Sequence, residues 1–168
     1  MSDFQTMVEQ NIYYVDKTMY IPELEKQARY LIFIRPRRFG KSIFLGMLHA
    51  YYDIRTKHKF QQWFGNLWIG KHPTPLQGRY QVMHLDFSQV GGNIDNLEEK
   101  FNFYMGVQLD GFVRDYAEFY SDELRRKVNA TQDAGGKLAL IQSEAKVKEY
   151  PLYLIIDEYD NFTNTVLN

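Results

Sequence analysis

The chain has 168 residues, 45% of them hydrophobic and 24% charged, a balance that excludes a disordered chain and suits one folded domain. With 20 Lys and Arg against 21 Asp and Glu, the net charge of -1 supplies no global field toward nucleic acid or a membrane surface. Cysteine is absent, which excludes disulfides and thiolate metal sites, and the apolar runs fall far short of the ~20 residues that span a bilayer.

The opening Met-Ser-Asp-Phe-Gln lacks the basic flank and apolar stretch of a secretion signal, so a cytoplasmic protein is expected. The 13 Tyr and 12 Phe predict a core rich in large rings. Residues 3–10 read as a short helix. A second helix is expected from Thr18 or Met19 to Ala28, with Tyr20, Ile21 and Leu24 on one face. Tyr30-Leu31-Ile32-Phe33-Ile34 is an unbroken apolar run, the pattern of a parallel strand covered on both faces.

After Ser42, the residues Phe44, Met47, Leu48, Tyr51 and Tyr52 recur at helical spacing, and Ile43 and Leu45 widen the stripe into that of a buried helix. A short helical turn is expected over 59–64, and Trp63, Phe64, Leu67 and Trp68 are expected to cap the core. His72-Pro73-Thr74-Pro75 must be a connection. Residues 80–87 mix polar and apolar side chains as a strand near a sheet edge does. Residues 93–128 read as mostly helical, with Gly106 and Gly111 as points of bending or division. A linker over 129–136 and a polar helix over 137–148 lead to Leu152-Tyr153-Leu154-Ile155-Ile156, a second buried-type strand ending in Asp157-Glu158. Strands alternating with helices give the class α/β.

Between the first apolar strand and the buried helix stands Arg35-Pro36-Arg37-Arg38-Phe39-Gly40-Lys41-Ser42. A phosphate site requires main-chain N–H groups that wrap the anion and a helix whose positive end begins there. Gly40 allows close main-chain approach, Lys41 reaches the terminal phosphates, and the Ser42 hydroxyl can hold Mg²⁺. The usual motif has a glycine where this chain has Arg35. Pro36 holds Arg35 extended, so the cradle is expected from Arg37 to Ser42, opened by Pro36. One of Arg35, Arg37 and Arg38 is expected to contact the ligand.

A phosphate loop also needs an acid at the end of a buried strand to position Mg²⁺. Asp157 fits that place, and Glu158 is placed to orient or deprotonate an attacking water; either acid could instead cap a following helix. Asp86 is a water-mediated metal contact or a turn acid, and Asp160 is expected to be structural. His49, His58, His72 and His84 lack metal-ligand spacing.

Four ordered motifs carry a family resemblance: Tyr-Val-Asp-Lys-Thr at 14–18, Arg-Pro-Arg-Arg-Phe-Gly-Lys-Ser at 35–42, Leu-Asp-Phe-Ser at 85–88 and Ile-Asp-Glu-Tyr-Asp-Asn-Phe at 156–162. Together they resemble the predicted AAA-ATPase-like family of bacteria over essentially the whole chain, the unusual Arg35 included. Such proteins often carry a following nuclease-like domain of the PD-(D/E)XK type, which nothing here matches. The resemblance implies a P-loop NTPase three-layer sandwich with a mainly parallel sheet, residues 1–28 forming a lead-in and 29–168 a nucleotide-binding core. It implies ATP as ligand, a Walker A role for Gly40, Lys41 and Ser42, and a Walker B role for Asp157 and Glu158. Residues 14–17, with Tyr14 and Asp16, are similar to the stretch that closes over adenine; Tyr13 and Tyr14 could equally pack in the core.

In that branch of P-loop proteins a later strand separates the Walker A and Walker B strands and carries a polar sensor. The residues after Asp157 make at most about two to three turns of helix, so that strand, the sensor and any arginine finger are missing. The two buried-type strands then belong to an interrupted chain, pair directly in another order, or receive a strand from a partner such as a second copy; interruption is the expectation. Mg²⁺-dependent ATP binding is expected, with hydrolysis only in a complete version. The alternatives are a non-catalytic remnant that packs or associates, and nucleic-acid binding through Arg35, Arg37 and Arg38, which the neutral charge disfavours.

Overall fold

The computed structural model describes residues 4–27, 30–34, 39–90 and 96–158. It is a mixed α/β protein, mostly helical, that divides into two compact units, residues 1–80 and 81–168.

The first unit is helical. Helix α1 (Phe4–Glu9) is followed by a strap and a 3-10 turn (Thr18–Tyr20) that runs into α2 (Ile21–Glu25). The 12-residue α3 (Lys41–Tyr52) is the spine, burying Phe44, Met47, Leu48, Ala50, Tyr51 and Tyr52 as its apolar spacing predicts. A 3-10 segment (Ile54–Lys59) and the short α4 (Phe60–Phe64) and α5 (Trp68–Lys71) complete the unit. The core is aromatic: Phe4 stacks on Phe64 with centroids 5.0 Å apart and meets Tyr14 edge-on at 5.2 Å. Trp63 and Phe64 are buried, whereas Trp68 is 38% exposed. Pro73 and Pro75 lie in the expected connection.

Tyr30 to Ile34 departs from expectation. It joins no strand among the described residues, and Tyr30, Ile32 and Ile34 are 80% or more exposed. Phe33 is turned inward and stacks on Phe44 at 5.1 Å. The alternation is that of an extended segment with one face covered. Apolar content alone does not make a parallel strand, which also needs partners for its N–H and C=O groups.

The second unit holds a two-stranded parallel sheet, β1 (Gln81–Asp86) beside β2 (Leu152–Asp157), in a register that pairs Gln81 with Leu152 and Asp86 with Asp157. A 3-10 turn (Phe87–Gln89), α6 (Leu97–Asp115), another 3-10 turn (Ala117–Phe119), α7 (Asp122–Ala130) and α8 (Ala134–Val147) fill the crossover. Gly106 and Gly111 lie inside an unbroken α6. The helical stretch instead divides after Asp115, and α7 starts where the Ser121 side chain accepts the Leu124 N–H. The expected linker shrinks to residues 131–133, where the Asp133 carboxylate accepts the Gly136 N–H and starts α8.

Burial of the two strands reverses the sequence expectation. The edge-like β1 is the covered strand, with Gln81, Val82, Met83 and Leu85 buried, whereas Leu154 and Ile156 of β2 are exposed. Tyrosines are the cause. The Gln81 N–H donates to Pro151 C=O, so the odd-numbered residues of β1 face β2 and the even-numbered ones face outward. On that outward edge the Val82 N–H donates to the Tyr116 hydroxyl at 2.7 Å, and this hydroxyl donates back to Val82 C=O at 3.2 Å. Tyr104 does the same at Asp86, at 3.0 and 2.6 Å. Tyrosine hydroxyls thus occupy, at Val82 and Asp86, backbone groups that an adjoining strand would use, and they block this edge of the sheet at those two positions. The buried Gln81 side chain is met by the Tyr120 hydroxyl.

Candidate functional site

Gly40 is the N-cap of α3 with φ 76 and ψ 22, a left-handed conformation that a side chain would strain. Lys41 and Ser42 follow as the first two helical residues, Lys41 half-buried and Ser42 exposed. The helix therefore begins at the Gly-Lys-Ser tripeptide, and the main-chain N–H groups of its first turn lack intrahelical acceptors there. Pro36, Arg37 and Arg38, with Arg35, lie outside the described residues. Phe39 is 61% exposed.

Beside this turn lies a cavity of about 230 Å³. Tyr20, Leu24, Phe33, Phe39 and Phe44 line it, with Lys17 and Gly40 at its polar end. A Cβ built on Gly40 would stand 3.8 Å from the Lys17 Nζ. Lys17 makes no ion pair among the described residues. The sequence placed Lys17 in the strap and Phe39 and Gly40 in the phosphate loop, but gave Tyr20, Leu24, Phe33 and Phe44 only as residues of helices or a strand. Of the expected α2 face, Ile21 is buried, whereas Tyr20 and Leu24 are the ones lining the cavity.

Lys17 is held there by its neighbours. The Asp16 carboxylate accepts the Thr18 N–H at 2.8 Å, the Thr18 hydroxyl at 2.7 Å and the Trp68 N–H at 2.7 Å. The Thr18 hydroxyl in turn accepts the buried Ile69 N–H at 3.1 Å. Asp16 thus ties the strap to the start of α5. Tyr14 packs on Phe4, and burial pushes its phenol up to about 12; its hydroxyl faces the Lys17 main chain without a hydrogen bond of ordinary geometry. Tyr13 is 86% exposed.

At the carboxyl end of β2, Asp157 is buried and its Oδ1 accepts the Glu158 N–H at 2.9 Å. Glu158 has φ 54, a conformation that costs a residue with a Cβ about 1 kcal/mol or more. Asp86, the register partner of Asp157, accepts the Ser88 N–H at 2.9 Å and so starts a 3-10 turn, the turn role the sequence allowed it. Asp160 and any helix after Glu158 lie outside the described residues.

Among the described residues no group of three or more His, Cys, Asp or Glu forms a metal site, and no helix is long and apolar enough to cross a membrane. A preformed cage is not what Mg²⁺ needs: it is bound through one or two protein oxygens with water and substrate phosphates. Ser42, in the first unit, and Asp157, in the second, each carry an oxygen of that kind.

A family model described as Predicted AAA-ATPase matches residues 1–168. No curated protein and no solved structure matches the chain.

Proposed function

The chain belongs to the predicted AAA-ATPase family, and from that premise we propose that it binds a nucleoside triphosphate, ATP, with Mg²⁺. The observation that carries the reading is the start of α3: a left-handed glycine as N-cap, then Lys41 and Ser42 in the first turn. Such a turn offers N–H groups and the positive helix end to an anion, and Lys41 adds a mobile charge. Pro36, Arg37, Arg38 and Phe39 complete the loop in this reading. Ser42 and Asp157 hold the metal, which supplies charge neutralisation on the phosphates when bound. Glu158 orients the attacking water, its strained main chain fitting a residue kept for chemistry rather than stability.

The P-loop three-layer sandwich remains the fold proposed. Supporting it are the parallel pairing of β1 with β2 and the tyrosine-closed edge of β1, which leaves the far edge of β2 for any further strand. Cytoplasmic location is proposed with it. Hydrolysis is expected of a version that includes a sensor and an arginine finger. The decisive experiment measures labelled-ATP binding with and without Mg²⁺, in the native chain and in Lys41→Ala. Tight, Mg²⁺-dependent binding that the substitution abolishes is the expected result; no binding, or binding indifferent to Lys41, overturns the reading.

A second reading rests on exposed apolar side chains, Tyr30, Ile32 and Ile34 in one unit and Leu154 and Ile156 in the other. They favour association, with a second copy or another chain, as a function independent of nucleotide. Light scattering across a concentration series tests it: a monomer throughout excludes self-association.

A further inference from the structure

We propose that the first unit carries a binding strip for single-stranded nucleic acid, separate from the start of α3. Lys57, Lys71 and Arg79 hold its phosphate backbone, and the ring pair of Trp68 and His72 stacks on a base.

The net charge of -1 conceals a segregation. Residues 1–80 hold 12 Lys and Arg against 6 Asp and Glu, whereas residues 81–168 hold 8 against 15. From Lys26 to Leu85 the only acid is Asp53, where the chain's average of 21 acids in 168 residues would place several. Asp53 is buried, bonded by His49 and paired with Arg55, so its charge is already matched. A stretch that keeps cations and omits acids attracts a polyanion. What the polyanion meets is the local field, within the ~10 Å reach of a charge in dilute salt, and not the total.

Three of these cations are placed along the connection from α5 to Tyr80. Lys71 ends α5. Lys57, on the 3-10 segment, lays its stem on Gly78, where an added Cβ would stand 2.7 Å from the Lys57 Cγ. Arg79 follows at once and folds back, its Nε donating to Pro75 C=O at 3.4 Å. Between Arg79 and Lys71 the connection is pinned to α3, since the Thr74 N–H donates to the Tyr51 hydroxyl at 2.8 Å. Lys57, Lys71 and Arg79 are exposed and make no ion pair among the described residues. The carboxylates that bond to this strip are engaged by it: Glu25 accepts the Thr74 and Tyr52 hydroxyls at 2.7 and 3.1 Å, and Asp16 accepts from Thr18 and Trp68.

On the same helix as Lys71 stands a flat ring pair. Trp68 stacks on His72 with centroids 4.4 Å apart and planes 22° from parallel, and the His72 Nδ1 meets the Trp68 C=O at 3.0 Å. The Trp68 N–H is fixed in turn by Asp16 at 2.7 Å, so the pair is held in place, and both rings are exposed. Ring faces beside cations suit a single strand, because every base offers a face to stack and the backbone follows the charge. An anionic membrane or an acidic protein would use the cations alone, and a duplex keeps its bases stacked on each other. The rings therefore decide for the single strand.

The test is fluorescence anisotropy of a labelled oligothymidine strand of about 20 nucleotides, titrated with the 168-residue chain in the absence of ATP. Affinity should fall about twentyfold between about 50 and about 200 mM salt, a slope of about -2 for three phosphate contacts on a single strand. Lys71→Gln and Arg79→Gln should each flatten that slope by about 0.7, which a merely structural change would not do, and should leave Mg²⁺–ATP binding within about twofold. Trp68→Ala should weaken the strand about fivefold or more with the slope unchanged, and His72→Ala decides the matter if Trp68→Ala melts early. At about 200 mM salt a duplex of the same length should bind more weakly than the strand. No binding of the strand at about 50 mM salt overturns the proposal, whether or not phosphatidylserine vesicles or a second copy bind instead. So does a duplex bound more tightly at the higher salt, or a strand affinity and slope unchanged in both Lys71→Gln and Arg79→Gln. A loss confined to Lys41→Ala puts the strand on the phosphate loop and overturns it as well.

Discussion

Removing one hydroxyl from β1's outer edge should destabilise the chain far more at Tyr116 than at Tyr104. The Tyr116 oxygen is buried and serves both the N–H and the C=O of Val82. In Tyr116→Phe the ring still packs on Phe112, 4.6 Å away between centroids, but the buried Val82 N–H loses its acceptor. An unsatisfied buried donor costs about 1–3 kcal/mol, so a loss of about 2 kcal/mol is expected, or about 4–8 °C in Tm for a chain of this size. In Tyr104→Phe the hydrogen bonds at Asp86 are exposed and water replaces the hydroxyl, so the loss should stay below about 1 kcal/mol. Urea denaturation followed by far-UV circular dichroism measures both. Equal small losses would refute the reasoning, since they would mean that the Tyr116 hydroxyl does not close the strand edge.

Three further outcomes follow from single residues. Gly40→Ala meets nothing closer than the Lys17 ammonium among the described residues, so the cost expected is that of its φ of 76, about 1–2 kcal/mol in a urea titration, with loss of ATP binding; unchanged stability would argue against a left-handed residue there. Glu158→Asn puts a residue that tolerates positive φ at the end of β2, and should keep or raise stability by up to about 1 kcal/mol while abolishing any hydrolysis, read as phosphate release. At Asp53, burial pushes the carboxyl up, but hydrogen bonds from His49 and Arg55, with the Arg55 charge, outweigh it and hold it at about 2. A depressed carboxyl stabilises above its unfolded value and loses that contribution as pH falls through its folded value. The stability advantage of the native chain over Asp53→Asn should therefore shrink by about 2 kcal/mol between pH 4 and pH 2. A constant difference across that window would contradict it.

Local pattern was legible in the chain, and coverage was not. The spacing from Phe44 to Tyr52 specifies α3, and the mixed segment at 81–86 and the apolar one at 152–156 specify the two strands. What lies against a strand is decided by distant residues. Gln81 and His84 make β1 look like a half-exposed edge, yet Tyr104, Tyr116 and Tyr120, all from the crossover that follows β1, cover it and take up its polar groups. The 30–34 run is apolar enough for a central strand, and its exposure reflects a partner requirement that composition does not encode. The break after Asp115 was assigned to glycines on propensity; Gly106 sits in mid-helix, with nothing within 4 Å of its Cβ position among the described residues. At the site, Gly-Lys-Ser at a strand-to-helix boundary was readable because the chemistry fixes local spacing. Tyr20 and Leu24 were not, because they come beside Gly40 and Phe44 only through folding. Lys17 was placed by its position in the 14–17 stretch, between Asp16 and Thr18, which bond each other.

Replacing Mg²⁺ with Mn²⁺ in an ATP titration of the ¹⁵N-labelled chain tests most directly whether the first turn of α3 and the acids ending β2 serve one ligand. Paramagnetic broadening should reach the amides of Lys41, Ser42, Asp157 and Glu158 together, and should vanish in Lys41→Ala. Broadening of one cluster without the other would contradict a shared nucleotide site.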